Sequence, residues 1–195
     1  MPDIRSPLAA SLQPGRYGAE FATGPGLTLS ETSVALVQIA GWDDFEEVVL
    51  AGLQSLGFAG VGEYRHCLRG DDRQLYRISP DHALIASLSP LDLPESLLNI
   101  SSLAVQDLSH ARARIIVEGS AAEDIMARLA PIDFRASAMP VDGFVQTGVH
   151  HIGVLIHRTS ATRFDIVVPV TWARSLWEYL CLNAVPYGYT TKDVA

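Results

Sequence analysis

The sequence predicts an α+β protein in which antiparallel sheets pack against helices. Of its 195 residues, 48% are hydrophobic and 18% are charged, which is enough apolar material for a core and too little charge for a disordered chain. Residues 74–99 and 149–182 each follow the order strand, short turn, strand, helix. This recurrence indicates two pseudo-repeated halves. We therefore predict one domain over residues 33–185, with halves at about 33–100 and 101–185.

The first half begins with a weakly alternating strand at 34–39. A helix between Asp43 and Gly57 follows, with an apolar stripe at helical spacing that consists of Phe45, Val49, Leu53 and Leu56. After a glycine- and charge-rich loop, a hairpin and a short helix complete this half. Their predicted bounds are 59–73 for the loop, 75–78 and 83–88 for the strands, and 95–99 for the helix.

The second half contains four predicted strands and two helices. The strands lie at 103–108, 111–117, 146–158 and 164–170. Ser120 and Glu123 have the spacing of a capping box at the start of the first helix, which Pro131 ends. The last helix runs from residue 171 to about residue 183.

The two ends of the chain lack periodicity. Proline and glycine recur through residues 1–32, which predicts an extended N-terminal arm. Leu8 and Leu12 favour an arm that orders against a partner over a fully solvated tail. Residues 186–195 are predicted to form a C-terminal tail.

Charge and cysteine content exclude several classes of protein. The formal net charge of -8 argues against nucleic-acid binding, which relies on Lys and Arg to neutralise phosphates. No apolar run approaches the ~20 residues of a membrane-spanning helix, so no membrane association is expected. Cys67 and Cys181 fit no metal-ligand spacing and predict reduced thiols in a cytoplasmic protein. Arg112 and Arg114 share a strand face, which either faces solvent or meets an acidic partner or a ligand carboxylate.

Three histidines, His150, His151 and His157, lie close together in the strand predicted for 146–158. Neighbours in a strand point to opposite faces, so the first two diverge. His151 and His157 would lie roughly 20 Å apart at ~3.3 Å per residue. Zinc requires three or four converging ligands. We therefore predict no metal site and assign these histidines to structural hydrogen bonds or to an interface.

No catalytic or cofactor-binding motif stands out. Asp107, Ser109 and His110 invite a catalytic-triad hypothesis, but the segment is more typical of a turn held by Asp and Ser side chains. The glycines of segment 57–62 follow a helix and have the spacing G-x-x-G-x-G, which is not the dinucleotide-binding pattern. If a flavin or nicotinamide is involved, another chain is expected to hold it.

The last helix carries the best candidates for an interface. Trp172, Arg174 and Trp177 lie on it, and its apolar girth is wide enough to suggest burial on more than one side. Tryptophan and arginine are common anchors of protein interfaces. We therefore predict a contact surface formed by these three residues with His150 and His151.

Six short segments, spread in order over nearly the whole chain, carry a family resemblance. They are SPLA at 6–9, DLSHAR at 107–112, VEGSAA at 117–122, PID at 131–133, QTGVHHIG at 146–153 and VPVTWARSLW at 168–177. Together they resemble the gamma subunit family of the heterotetrameric sarcosine oxidases. That family is similar to the folate-binding region of the glycine-cleavage aminomethyltransferase, which implies the same fold here.

The resemblance implies one of four unlike subunits of an oxidase that demethylates sarcosine to glycine and passes the one-carbon unit to tetrahydrofolate. The expected partners are alpha, beta and delta subunits, which hold FAD, FMN, NAD and zinc, while no cofactor and no catalytic residue is expected in this chain. Two alternatives stay open. One is the small subunit of a related N-methyl amino acid dehydrogenase. The other is a free-standing folate-binding or aminomethyltransferase-like protein, with Asp107, Glu118 or Asp133 meeting the pterin.

Overall fold

The computed structural model of the chain describes residues 6–20, 24–42 and 44–192. The strands are β1 (Gly15–Tyr17), β2 (Leu27–Thr32), β3 (Ala35–Gly41), β4 (Leu68–Arg69), β5 (Arg73–Ser79), β6 (His82–Ser87), β7 (Leu103–Asp107), β8 (Arg112–Glu118), β9 (Phe144–Val149), β10 (Ile152–Ser160), β11 (Arg163–Pro169) and β12 (Tyr189–Thr191). The helices are α1 (Phe45–Ser55), α2 (Glu95–Leu98), α3 (Ala122–Leu129) and α4 (Val170–Ala184). Within the described ranges, no helix has both the length and the apolar character to cross a bilayer.

The chain forms two compact units, one inserted into the other in sequence. The inserted unit comprises residues 34–110, and the discontinuous unit comprises the residues up to 33 and from 111 onward. Both contain the element order strand, helix, three strands, helix, strand. It runs β3–α1–β4–β5–β6–α2–β7 in the first and β8–α3–β9–β10–β11–α4–β12 in the second. The α+β class and the repeated pattern predicted from the sequence are therefore confirmed.

In the inserted unit, five antiparallel strands take the order β4–β5–β6–β3–β7. The apolar stripe predicted for α1 is buried, and Val49 and Leu53 share a core with Ile85. Helices α1 and α2 lie so close together that a Cβ atom on Gly52 would be 2.3 Å from Cγ of Leu97. Glycine at position 52 thus permits the contact between the two helices.

The predicted division near residue 100 needs correction. Strand β7 pairs with β3, with Val105 opposite Ile39, so the inserted unit continues to residue 110. The helix start predicted at Asp43 lies outside the described residues, and α1 begins at Phe45.

The discontinuous unit contains a seven-stranded sheet in the order β1–β12–β2–β8–β11–β10–β9. Its strands pair antiparallel except β12 and β2, which are parallel. One face of the sheet forms the core with α3 and α4. Ile115 and Ile166, which are cross-strand partners, are buried there with Met126 and Leu180.

The predictions of an N-terminal arm at 1–32 and of a C-terminal tail at 186–195 are wrong for the parts that the structure describes, because these parts belong to the folded sheet and core. Strand β2 lies inside the sheet between β12 and β8, and Leu8 and Leu12 are buried in the core. Strand β12 pairs with β1 on one side and with β2 on the other. These segments are therefore integral to the sheet of the discontinuous unit.

The strand predicted for 146–158 is a hairpin. Strands β9 and β10 are joined by His150 and His151, with Val149 opposite Ile152. The two histidines have φ angles of 45° and 69°. Two consecutive positive φ angles are characteristic of a type I′ hairpin turn. The prediction that these histidines occupy opposite faces of one strand is wrong.

Helix α3 begins without the predicted capping box. Its start at Ala122 has no side-chain hydrogen bond as a cap. Glu123 instead accepts a hydrogen bond from Nη2 of Arg158 at 2.9 Å. The Ser120–Glu123 spacing thus corresponds to a contact between the helix and β10, and not to a local cap.

Candidate interaction surface on the last helix

Of the three predicted interface residues on α4, one is buried and two are exposed. Trp177 is 2% exposed and packs in the core with Leu176 and Leu180, so its prediction as an interface anchor is corrected. Trp172 is 54% exposed and Leu182 is 70% exposed. Arg174 is also exposed, and its Nε donates to the carboxylate of Glu178 at 2.8 Å.

The β9–β10 hairpin contacts α4 through an aromatic pair. The His150 ring stacks on the Tyr179 ring, with 4.4 Å between centroids and an angle of 18° between planes. The exposed His151 ring lies 5.5 Å from the His150 ring. The structure therefore brings His150 and His151 next to the helix that carries Trp172 and Arg174, through a contact that sequence reasoning missed.

A groove of about 500 Å³ runs along the same helix. Its walls come from the N-terminal segment, α4 and β12. The lining residues are Ala10, Ser11, Gln13, Tyr17, Arg174, Trp177, Glu178, Cys181, Leu182, Val185, Tyr189 and Thr191. The Tyr17 and Tyr189 rings stack at 5.2 Å. These walls are far apart in sequence, and of the lining residues only Arg174 and Trp177 were predicted to belong to an interaction surface.

The groove carries no activated nucleophile among its lining residues. Burial raises the pKa of the Cys181 thiol to about 11, so the thiol is protonated at neutral pH. Burial also raises the pKa of the Tyr189 phenol, which is likewise neutral. The two formal charges, on Arg174 and Glu178, are paired. This chemistry suits an uncharged or apolar occupant.

Two of the three carboxylates considered for a pterin are engaged in contacts within their own turns. Asp107 accepts the Ser109 amide hydrogen bond at 2.8 Å, and its pKa is lowered chiefly by the Ser109 hydroxyl. This is the local turn expected in place of a triad. Asp133 binds the guanidinium of Arg135, which lowers the pKa of Asp133 to about 2. Glu118 is exposed at the end of β8.

The two arginines of β8 have structural contacts. Arg114 is 5% exposed and its Nη1 lies 3.8 Å from the carboxylate of the buried Asp165. Nε of Arg163 donates to the same carboxylate at 2.9 Å. Arg112 donates to the carbonyl oxygen of Ala111 at 3.3 Å. For Arg114, Asp165 thus supplies the acidic counterpart that was expected from a partner or a ligand.

Two local patterns that would indicate a dinucleotide or a zinc site are missing from the described residues. Segment 57–62 follows α1, whereas a dinucleotide fingerprint links a parallel strand to a helix. Among the residues that the structure describes, no three His, Cys, Asp or Glu side chains group as metal ligands. We therefore derive no chemical step through such a group in this chain.

Solved structures of known proteins share this fold. A chain of the heterotetrameric sarcosine oxidase from Corynebacterium sp. U-96, solved with pyrrole 2-carboxylate, matches with a TM-score of 0.79 and 21% identity, covering 94% of this chain and 95% of that chain. The glycine cleavage system aminomethyltransferase T from Bartonella henselae matches with a TM-score of 0.56 and 16% identity. That match covers 88% of this chain but 48% of the aminomethyltransferase.

Sequence comparison adds no relative. No family model matches the chain, and no curated protein matches it significantly. The resemblance derived from the six segments is therefore supported at the level of structure. The chain has the α+β fold that is shared by a chain of heterotetrameric sarcosine oxidase and by the glycine-cleavage aminomethyltransferase.

Proposed function

We propose that the chain is a small, non-catalytic subunit, equivalent to gamma, of a sarcosine-oxidase-type flavoenzyme complex. The main support for the proposal is that the structural match covers nearly all of both chains, since 94% of this chain aligns with 95% of a chain of such an oxidase. End-to-end similarity is what a whole subunit would give. The aminomethyltransferase match leaves about half of that enzyme without a counterpart, since it covers 48% of it.

The chemistry of the α4 groove suits a packing role. The Cys181 thiol is protonated at neutral pH, and Arg174 and Glu178 pair with each other. In this proposal FAD, FMN, NAD and zinc belong to the alpha, beta and delta partners, which oxidise sarcosine and transfer its methyl carbon to tetrahydrofolate. This chain contributes packing surfaces, among them the exposed side of α4 that carries Trp172 and Leu182.

Co-production with candidate partner chains encoded by neighbouring genes tests the proposal. We expect a tagged form of the chain to co-purify with a yellow, flavin-containing complex that turns over sarcosine. Turnover of an N-methylated amino acid other than sarcosine would favour the related dehydrogenases. Persistent recovery of the chain alone, free of flavin, would refute the subunit role.

Two tryptophan variants connect the proposal to α4. Trp172→Ala removes a 54% exposed side chain from the proposed surface, and Trp42→Ala removes a 70% exposed one from the inserted unit. We expect Trp172→Ala to weaken assembly roughly tenfold or more, as for an interface hot spot. The Trp42→Ala control should assemble like the wild type. Equal assembly of both variants would remove the exposed face of α4 from the proposed interface.

The similarity to the aminomethyltransferase makes a free-standing folate-binding protein the second candidate. The local partners of Asp107 and Asp133 weigh against it, because each carboxylate already accepts hydrogen bonds within its own turn. Calorimetric titration of the isolated chain with tetrahydrofolate separates the two functions. One-to-one binding would support the second candidate, and no heat of binding would support the subunit role.

A further inference from the structure

Strand β9 is an edge of the seven-stranded sheet. It spans Phe144–Val149 with the sequence FVQTGV, which contains neither a charged residue nor a proline. Natural proteins usually protect such edges with charges, prolines or very short strands, because an open edge is a template for another strand. An unprotected edge six residues long therefore needs an explanation.

The register of the hairpin identifies which backbone groups point outward. In a two-residue hairpin the residues that flank the turn form a hydrogen-bonded pair, and such pairs alternate along the ladder. At the other end of the two strands, the amide of Arg158 donates to the carbonyl oxygen of Gly143 at 2.9 Å. Gly143 and Arg158 therefore also form a hydrogen-bonded pair, in agreement with the alternation counted from the turn. Gln146 and Gly148 therefore direct their amides and carbonyls away from β10. Both residues are exposed.

The other edge strands in the described part of the chain are shorter than β9, and each contains a charged residue. Strand β1 has three residues and includes Arg16. Strand β4 has two residues and includes Arg69. Strand β7 has five residues and ends at Asp107, whose carboxylate is engaged in a turn. Strand β9 stands apart from these three because it combines length with the absence of charge.

Two glycines keep one face of this edge clear. Gly148 and Gly153 lie directly opposite each other in the β9–β10 ladder. An added Cβ atom would meet nothing within 4 Å at either position, and neither residue has a positive φ. Neither the local backbone conformation nor local packing requires glycine here. Glycine weakens a strand, and its presence often marks close approach by another backbone or ligand.

We infer that β9 is a strand-addition site, at which an extended segment of a partner subunit pairs with Gln146–Gly148 and places a large side chain over the two glycines. The recognised chemistry is an extended peptide backbone, as in other complexes formed by strand addition. A second copy of the chain is disfavoured, because a net charge of -8 on each copy opposes self-association. The identity of the partner as an oxidase subunit rests on the proposed function.

Amide hydrogen exchange with residue resolution tests the inference. In the isolated chain, the amides of Val145 and Thr147 are held by β10 and should exchange slowly, whereas those of Gln146 and Gly148 should exchange fast. In the co-purified complex we expect the two outward amides to slow at least roughly tenfold, which would make protection continuous along β9. Unchanged exchange at Gln146 and Gly148 in an assembled complex would overturn the inference and leave the subunit role intact.

Two substitutions at one position isolate the backbone contribution. Gln146→Pro removes an outward amide, a change that edge strands tolerate because the ladder to β10 is untouched. Gln146→Ala removes the side chain and keeps the amide. We expect Gln146→Pro to lose the partner and Gln146→Ala to retain it. Equal assembly of the two folded variants would contradict strand addition, and if Gln146→Pro does not fold, the exchange pattern of the wild type decides.

Two further outcomes distinguish the possible failures. Protection of the same amides in a dimer of the isolated chain would make a second copy the occupant and overturn the inference. Failure to obtain any complex with the candidate partners would overturn the proposed function, and the inference with it.

Discussion

The guanidinium of Arg158 donates a hydrogen bond to the carboxylate of Glu123 at 2.9 Å, and Arg158 is only 3% exposed. The same guanidinium donates to the carbonyl oxygens of Phe134, Met139 and Ala161 at 2.6, 3.2 and 2.8 Å. One buried side chain thus connects β10, the start of α3 and the loop between α3 and β9. These contacts hold the segment that leads into the exposed edge strand.

Replacement of Arg158 by methionine should destabilise the protein. The substitution preserves much of the apolar stem but leaves buried carbonyl oxygens without a donor, and we expect a loss of about 2–4 kcal/mol in the free energy of unfolding. Urea unfolding followed by circular dichroism measures the loss. Arg174→Met is the matched control, since its exposed pair with Glu178 should contribute at most about 0.5 kcal/mol. A similar loss in both variants would contradict the stabilising role of the buried Arg158 contacts.

His151→Gly should stabilise the β9–β10 hairpin. The φ angle of 69° at His151 is unfavourable for histidine and unrestricted for glycine. The substitution leaves the stacked His150–Tyr179 pair in place, and we expect a gain of about 0.5–1 kcal/mol with a corresponding rise in Tm. His150→Gly is the comparison, because it relieves the backbone but removes the stacking. A lower Tm for His151→Gly would contradict the I′ assignment of this turn.

Glu31 should make stability depend on pH. Burial raises its pKa above the ordinary value of 4.5, against an opposing hydrogen bond from Ser6. A carboxyl group with a raised folded-state pKa binds its proton more tightly in the folded protein, so folding stability falls as pH rises from the unfolded pKa through the folded one.

Glu31→Gln removes this titration and keeps a polar partner for Ser6. We expect the variant to be more stable than the wild type at neutral pH, with the difference shrinking as pH falls through the raised folded-state pKa of Glu31 toward 4.5. Urea unfolding of both proteins at several pH values measures the difference. A difference that does not vary with pH would show that Glu31 titrates alike in the folded and unfolded chains.

Cys181 should react slowly with alkylating agents. Burial raises its pKa from 9.0 to about 11, which lowers the thiolate fraction at neutral pH about a hundredfold. The experiment uses Cys67→Ala, which leaves one thiol, and follows iodoacetamide labelling by mass spectrometry. Folded protein should label at least roughly a hundredfold more slowly than protein unfolded in urea. Equal rates would contradict the protected environment of the thiol.

Periodicity predicted most of the elements that bury a face along their own length. Helix α1 and the repeated strand–turn–strand–helix order are examples. Strand β2 escaped prediction even though Leu27 and Leu29 alternate, because Gly24, Pro25 and Gly26 directly precede this short segment. The hairpin turn was missed because two histidines occupy positions that usually carry asparagine and glycine. Tertiary contacts hold both features in place, and a single sequence does not display them.

The interaction surface was predictable only in part. Helical spacing located Trp172 and Arg174 on α4, but a wide apolar stripe does not distinguish a residue that packs inward from one that faces a partner. Trp177 packs inward. The groove and the edge strand depend on chain segments that meet only after folding, such as Tyr17 with Tyr189. Contacts of this kind are visible only in the folded structure.

The insertion of residues 34–110 within the other unit has a consequence for biosynthesis. On the ribosome, Thr28 emerges long before its strand partner Glu118, and every residue of the inserted unit is made between them. Strand β2 therefore has no β8 to pair with until residue 118 has been made. The inserted sheet, whose pairings are all internal, is free to form before then. During this interval the nascent segment exposes Leu27 and Leu29, which are buried in the folded protein, and such transiently exposed apolar side chains favour aggregation.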